Sequence, residues 1–85
     1  MIIDNTNIVA YNHIKPAVDN SVDLGDSGAR FANLYVADVQ MNNEGTGGND
    51  VDGTEGSWTI QEGEDDLFLL NRKNGKKYKF KLEVV

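Results

Sequence analysis

The sequence contains no cysteine, one proline and one histidine among its 85 residues. Without cysteine, the chain can form neither disulfides nor thiolate metal sites. His13 has no second imidazole and no thiol to share a metal with, and nothing in the sequence supplies a partner to orient it as a general base. We therefore expect His13 to be a surface or interface residue, and we expect no metal site and no cofactor.

Basic residues are also few, because 8 Lys and Arg stand against 14 Asp and Glu and give a net charge of −6. This is the wrong sign for neutralising phosphates, so we expect no binding to nucleic acid. No apolar run approaches the roughly 20 residues that a bilayer span needs, and the first residues lack the basic flank and apolar core of a secretory leader. We expect no membrane insertion, and we expect the protein to be synthesised in a cytoplasm.

A chain of 85 residues forms one small domain. At about this size a single core supplies only ~3–5 kcal/mol, and disulfides, metals or oligomerisation usually add to it. Since the first two are excluded, we expect self-association. No nucleophile with a base and no framed carboxylate pair is evident in the sequence, which predicts that the protein is not an enzyme.

The first half of the chain predicts extended structure and turns. Residues 1–15 are interpreted as an extended docking arm with no partner strand nearby, carrying apolar residues at both ends. Residues 16–41 are interpreted as a junction of turns and short strands. Within it, Asp26 or Ser27 could cap a single helical turn, and residues 34–41 alternate in the manner of a strand with one apolar face.

Residues 42–56 contain five glycines and almost nothing that could enter a core, so we expect a long, mobile loop or linker between the two halves. Asp50, Asp52 and Gly53 imitate part of an EF-hand loop. The first and last ligand positions would be Gly48 and Thr59, however, and these cannot supply the required carboxylates. We therefore expect no specific calcium binding.

Residues 57–85 predict a three-stranded antiparallel meander. Trp58 and Ile60 share a face, residues 67–71 form a short apolar run, and Asn74-Gly75 is a strong signal for a type I′ turn. The last strand alternates apolar residues with lysines, which discourage unwanted edge pairing. The predicted core consists of Trp58, Ile60, Phe68, Leu70, Tyr78, Phe80 and Leu82.

Charge is distributed unevenly along the chain. Residues 67–85 hold all the basic residues except Lys15 and Arg30, whereas every acidic residue except Glu83 precedes them. Such a segment is typical of a solvated basic strand face, or of one that lies beside acidic neighbours in the same assembly. Opposed patches that steer subunits together are the alternative.

Residues 16–36, PAVDNSVDLGDSGARFANLYV, resemble a segment that recurs in tail-fibre and other virion proteins of tailed bacteriophages. The closing stretch, from Ser57 through NGKKYKFKL, is similar to C-terminal segments of structural proteins of marine phages. Phe31 stands where tryptophan is frequent in that pattern. The residues that carry the first resemblance are Pro16, Asp19, Asn20, Asp23, Leu24, Gly25, Ser27, Arg30, Phe31, Leu34 and Tyr35.

The resemblance implies a mainly β, parallel homotrimer on the virion, namely a small tail-fibre or fibre-base protein that contributes to assembly and host attachment. Its implied partners are copies of itself and other tail or capsid proteins. Two alternatives stay open: a capsid decoration or cement protein that stabilises the head, and a glycan-binding adhesin tip in which Trp58 or Tyr78 stacks on a sugar. The predicted interface residues are Ile2, Ile3, Ile8, Val9, Leu24, Arg30, Phe31, Leu34 and Tyr35.

Overall fold

The structure is a computed structural model that describes residues 2–3 and 5–85. It divides into two units, Met1–Phe31 and Ala32–Val85. All regular secondary structure in the described residues is β, with no helix, which confirms the predicted mainly β class. The strands are β1 (Ile2–Ile3), β2 (Ile8–Val9), β3 (Val39–Asn42), β4 (Ser57–Glu62), β5 (Leu67–Asn71) and β6 (Lys77–Lys79).

The first unit contains a small antiparallel pair in place of the extended arm that the sequence predicted. Strands β1 and β2 pair with Ile2 opposite Val9 and Ile3 opposite Ile8. The apolar ends of the arm are therefore each other's partners, because the polar stretch between them is long enough to reverse the chain. A two-stranded pair of this length is marginal by itself.

The predicted helical turn near Asp26 is absent, and a tight turn takes its place. Asp26 and Ala29 exchange two backbone hydrogen bonds of 3.2 and 3.3 Å. The Asp26 carboxylate Oδ1 also accepts from the backbone N–H groups of Gly28 and Ala29, at 2.8 and 2.6 Å. The capping chemistry was thus anticipated correctly, but it closes an Asx turn and does not start a helix.

The second unit is a four-stranded antiparallel meander in the order β3-β4-β5-β6. The predicted three-stranded meander is present, and β3 adds a fourth strand, with Val39 opposite Ile60 and Asn42 opposite Ser57. The strand predicted over 34–41 differs in the structure, where β3 begins at Val39 and ends at Asn42. Residues 42–56 connect two neighbouring strands of this sheet, so they do not link two halves of the chain.

The connection between β5 and β6 also differs from the prediction. A type I′ turn needs positive φ at both Asn74 and Gly75, but only Gly75 has it, at 75°. The Asn71 side chain instead accepts from the N–H groups of Lys73 and Asn74, at 2.9 and 3.3 Å. Five residues, 72–76, therefore connect the two strands, and Gly75 alone among them adopts the left-handed conformation.

Register assigns the side chains of the sheet to two faces, since directly opposed residues point to the same side. Val39, Ile60, Leu69 and Tyr78 form one continuous cross-strand row. We call their side the apolar face; it holds Val39, Met41, Trp58, Ile60, Leu67, Leu69, Tyr78 and Phe80. The other side, the polar face, holds Gln40, Asn42, Ser57, Thr59, Gln61, Phe68, Leu70, Lys77 and Lys79.

Little of the described chain is buried. Leu70, at 9% exposed, is the one large apolar residue in the buried class within residues 2–3 and 5–85. Of the predicted core, Trp58, Ile60, Phe68 and Phe80 are half-buried. Tyr78 and Leu82, expected in the core, are exposed, because β6 is an edge strand and its pairing with β5 ends at the bond from Phe80 N–H to Leu67 O, at 2.9 Å.

Candidate interaction surfaces

The predicted interface residues all lie at the surface. Tyr35 is 92% exposed and Phe31 65% exposed, which is far more than such side chains show in a packed core. A cluster of apolar side chains this open is typical of a contact surface. The others, Ile2, Ile3, Ile8, Val9, Leu24, Arg30 and Leu34, are also exposed.

The Phe31 ring lies against Gly25. An added Cβ at Gly25 would lie 3.3 Å from the Phe31 Cδ2 atom, and Gly25 also has a positive φ of 79°. A side chain at this position would strain the backbone and push the ring away. Within residues 2–3 and 5–85 the Arg30 side chain makes no hydrogen bond or ion pair.

The apolar face is a second exposed surface, and it lies in the second unit. Among the described residues, no strand packs over it, since each strand of the sheet contacts only its neighbours in the sheet. Trp58 and Tyr78 lie together on this face, with ring centroids 5.7 Å apart and planes tilted by 41°. Glu62 is its one acidic residue, at the end where it pairs with Leu67.

A buried hydrogen-bond network crosses the polar face. Thr59 is fully buried, and its hydroxyl donates to Gln40 Oε1 at 2.6 Å and accepts from Arg72 Nε at 2.9 Å. Among the described residues no buried side-chain nitrogen or oxygen lacks a partner. Long polar side chains thus close this side of the sheet.

The 42–56 loop, expected to be mobile, is cross-linked by hydrogen bonds. Asn43 Oδ1 accepts from Gly56 N–H at 2.6 Å, and Glu55 Oε2 accepts from Gly45 N–H at 2.7 Å. The Asp52 carboxylate accepts from the Thr54 hydroxyl and N–H and from Asn49, and these bonds lower its pKa to about 2. Glycine and Asx-type turns therefore give the loop a defined path.

An open groove of about 730 Å³ lies between this loop and the end of the sheet. Trp58 forms its aromatic part, and the Trp58 indole lies against Gly56, where an added Cβ would be 3.1 Å from Nε1. The side-chain oxygens of Asn43, Asn49 and Asn71, which line the groove, accept hydrogen bonds from backbone N–H groups of the adjoining loops. The polar residues around Trp58 include Asn43, Asn49, Glu55, Asn71 and Lys73.

The ionisable side chains of the described residues form no metal-binding cluster. No group of three or more His, Cys, Asp or Glu is placed to hold a metal within residues 2–3 and 5–85. The one ion pair there joins Lys79 Nζ to Asp66 Oδ1 at 4.0 Å, and both side chains are well exposed, so its contribution to stability is small. None of the described segments forms a helix of the length and apolarity that crossing a membrane requires.

Comparison of the chain with protein-family models, with curated proteins and with solved structures finds no match. The surfaces described above are thus the basis for inferring what the protein does. Sequence reasoning did not identify the groove or the Thr59 network. Alternation does place Gln40 and Thr59 on polar faces of their strands, but only the register brings them together.

Proposed function

We propose that the chain is a small virion structural protein of a tailed bacteriophage, a homotrimeric tail-fibre or fibre-base component that acts by assembly and contributes to host attachment. The proposal rests on the resemblance of residues 16–36 and 57–82 to phage virion proteins. One structural observation supports it: the apolar residues that the resemblance assigns to the interface are exposed, while the described chain buries almost no apolar core.

The energetic argument follows from burial. Moving a Leu or Phe side chain from water into an apolar contact contributes about 1.5–3 kcal/mol. Phe31, Leu34 and Tyr35 gain little of this in one chain, because each is more than half exposed. Packing three copies together would recover that free energy, which a domain with one buried apolar residue needs for stability.

The test is the mass of the protein over a dilution series, measured by light scattering on the wild type and on Phe31→Asp. We expect a mass near three chains for the wild type and dissociation for the variant, because a carboxylate would be buried without a partner. Val51→Asp is the matched control, since Val51 is an exposed apolar residue outside the predicted interface, and it should keep the wild-type mass.

A monomer at every concentration for all three proteins would contradict the fibre proposal. It would leave the cement alternative, in which the exposed residues pack on coat subunits in place of a second copy. Microscopy of intact virions would then locate the protein on the head or on the tail.

A second candidate function, glycan binding, is favoured by the groove beside Trp58. An indole can stack on the C–H face of a sugar, while carboxamide, carboxylate and ammonium groups bond to its hydroxyls. Trp58 is the only tryptophan, so all indole emission comes from this one position beside the groove. Titration with glucose, galactose and N-acetylglucosamine should change the emission if the groove binds sugar, and Lys73→Ala should weaken that change; no response to the three sugars would remove them as ligands.

A further inference from the structure

No strand of the described chain packs over the apolar face, which brings apolar side chains of all four strands side by side. Met41 and Tyr78 on this face are 44% and 45% exposed. A sheet normally buries such a face against a second layer. No strand of the described residues supplies that layer.

We infer that the layer is a second copy of this chain, with the apolar faces of the copies turned toward one another in the assembly. This inference rests on the proposed function and deepens it, because it adds a contact surface in residues 39–80 to the one predicted in residues 2–35. The reasons are the charges at the sheet edges, the chemistry of the two faces and the area available.

The charges distinguish the apolar face from the polar face. Lys77 and Lys79 stand on the polar face, so two polar faces brought together would place like charges near one another. The apolar face carries only Glu62, at one end. Copies of a chain with net charge −6 can therefore meet through the apolar face with little local repulsion.

The free edges of the sheet are complementary in charge. One edge is β6, which carries Lys77 and Lys79, and the other is β3, which is flanked by Asp38 and Glu44. Two β6 edges would repel each other, whereas a β6 edge beside a β3 edge brings opposite charges together. Strands β3 and β6 run in opposite directions in the meander, so copies related by rotation about an axis along the strands would meet with these edges antiparallel.

The area of the apolar face supplies part of an interface. Four strands about 4.8 Å apart, with about five residues each at 3.4 Å, cover roughly 300 Å². A stable interface commonly takes about 800 Å² from each partner. The apolar face therefore accounts for a substantial part of a contact between copies, and further residues of each copy have to supply the rest.

The first test introduces a charge on the apolar face at a position where one chain tolerates it. Met41→Glu should raise the dissociation constant of the assembly by roughly 100-fold or more, since a carboxylate would face an apolar surface. Asn42→Asp is the matched control: it changes the charge equally, on the next residue, but on the polar face. It should leave the dissociation constant within about threefold of the wild type. Tyr78→Glu repeats the test on the other edge strand in case Met41→Glu does not fold.

The second test uses Trp58 as a reporter of the face. Acrylamide quenching of its emission should be several-fold weaker in the concentrated assembly than in dilute, dissociated protein. The inference is overturned if Met41→Glu and Tyr78→Glu keep the wild-type mass and quenching does not change on dissociation. If Phe31→Asp still dissociates the protein in that case, the proposed function stands and only the apolar face is excluded.

Discussion

The contacts within the two units of the chain are of different kinds. In Met1–Phe31 the structure is local: the Asp26 carboxylate and the Ser21 hydroxyl bond to backbone groups no more than three residues away. In Ala32–Val85 the contacts join distant residues, and Thr59 meets Gln40 across 19 positions. The comparison shows that turn chemistry can shape the first unit without giving it a core, whereas cross-strand pairing joins residues of the second unit that are distant in the sequence.

The largest loss of stability should come from a substitution of Leu70, in the second unit. Leu70→Ala removes the buried apolar side chain of the sheet and should cost about 2–5 kcal/mol of unfolding free energy. Leu82→Ala is the control, because Leu82 is exposed, and it should cost under about 0.5 kcal/mol. Urea unfolding followed by Trp58 fluorescence measures both, and equal losses would mean that Leu70 does not anchor the sheet.

The next largest loss of stability should come from breaking the hydrogen-bond network around the buried Thr59. Thr59→Val keeps the volume and removes the hydroxyl, which leaves Gln40 and Arg72 without that partner, so we expect a loss of about 1–3 kcal/mol. Adding Arg72→Met should cost less in the Thr59→Val background than in the wild type, because the bond is already absent. Strict additivity in this double-mutant cycle would show that the hydrogen bond from Arg72 to Thr59 contributes nothing.

A smaller effect concerns pH and the 42–56 loop. The hydrogen bonds from Thr54 and Asn49 lower the pKa of Asp52 to about 2 from 3.8, so its charged form stabilises the folded loop above about pH 4. That stabilisation is lost as the pH falls toward 2. Asp52→Asn should therefore flatten the fall in melting temperature between pH 4 and pH 2.

Asp50→Asn is the control for that pH measurement. The Asp50 carboxylate accepts no hydrogen bond within residues 2–3 and 5–85, so this variant should follow the wild-type curve. If Asp52→Asn also follows the wild-type curve, the hydrogen bonds to Asp52 have no influence on stability.

The smallest effect should come from calcium. The Asp52 Oδ1 atom is already occupied by donors from Asn49 and Thr54, and the described residues hold no metal-binding group of carboxylates. Adding millimolar calcium or a chelator should change the melting temperature by less than about 2 °C. A clear rise with calcium would mean that the loop rearranges into a coordination site.

Much of the second unit could be predicted from the sequence, because alternation and turn residues are local signals. The strand around Trp58 and the lysine-bearing last strand follow from period-2 patterns, and the strand around Leu70 follows from a short apolar run. A strand was also predicted over 34–41, but its pairing with β4 could not be predicted, since the 42–56 loop separates Val39 from Ile60 in the sequence. The turn at Asn74-Gly75 was predicted with the wrong type because the Asn71 side chain, which sets its geometry, precedes the motif.

The first unit was harder to predict. The sequence contained the apolar residues of β1 and β2, but too few of them to distinguish a paired strand from an arm. Phe31, at the end of this unit, and Leu34 and Tyr35, at the start of the next, are exposed. A pattern in one chain carries no direct signal for a contact between chains.

Sedimentation equilibrium of the wild-type chain over a thousandfold dilution, with the melting temperature recorded at each concentration, tests the central claim most directly. If exposed apolar residues in both units pack between copies, the mass will be near three chains at high concentration, and the melting temperature will fall as the protein dissociates. A monomer that unfolds cooperatively at the same temperature throughout the series would contradict the claim, because the single chain would then be stable without covering those residues.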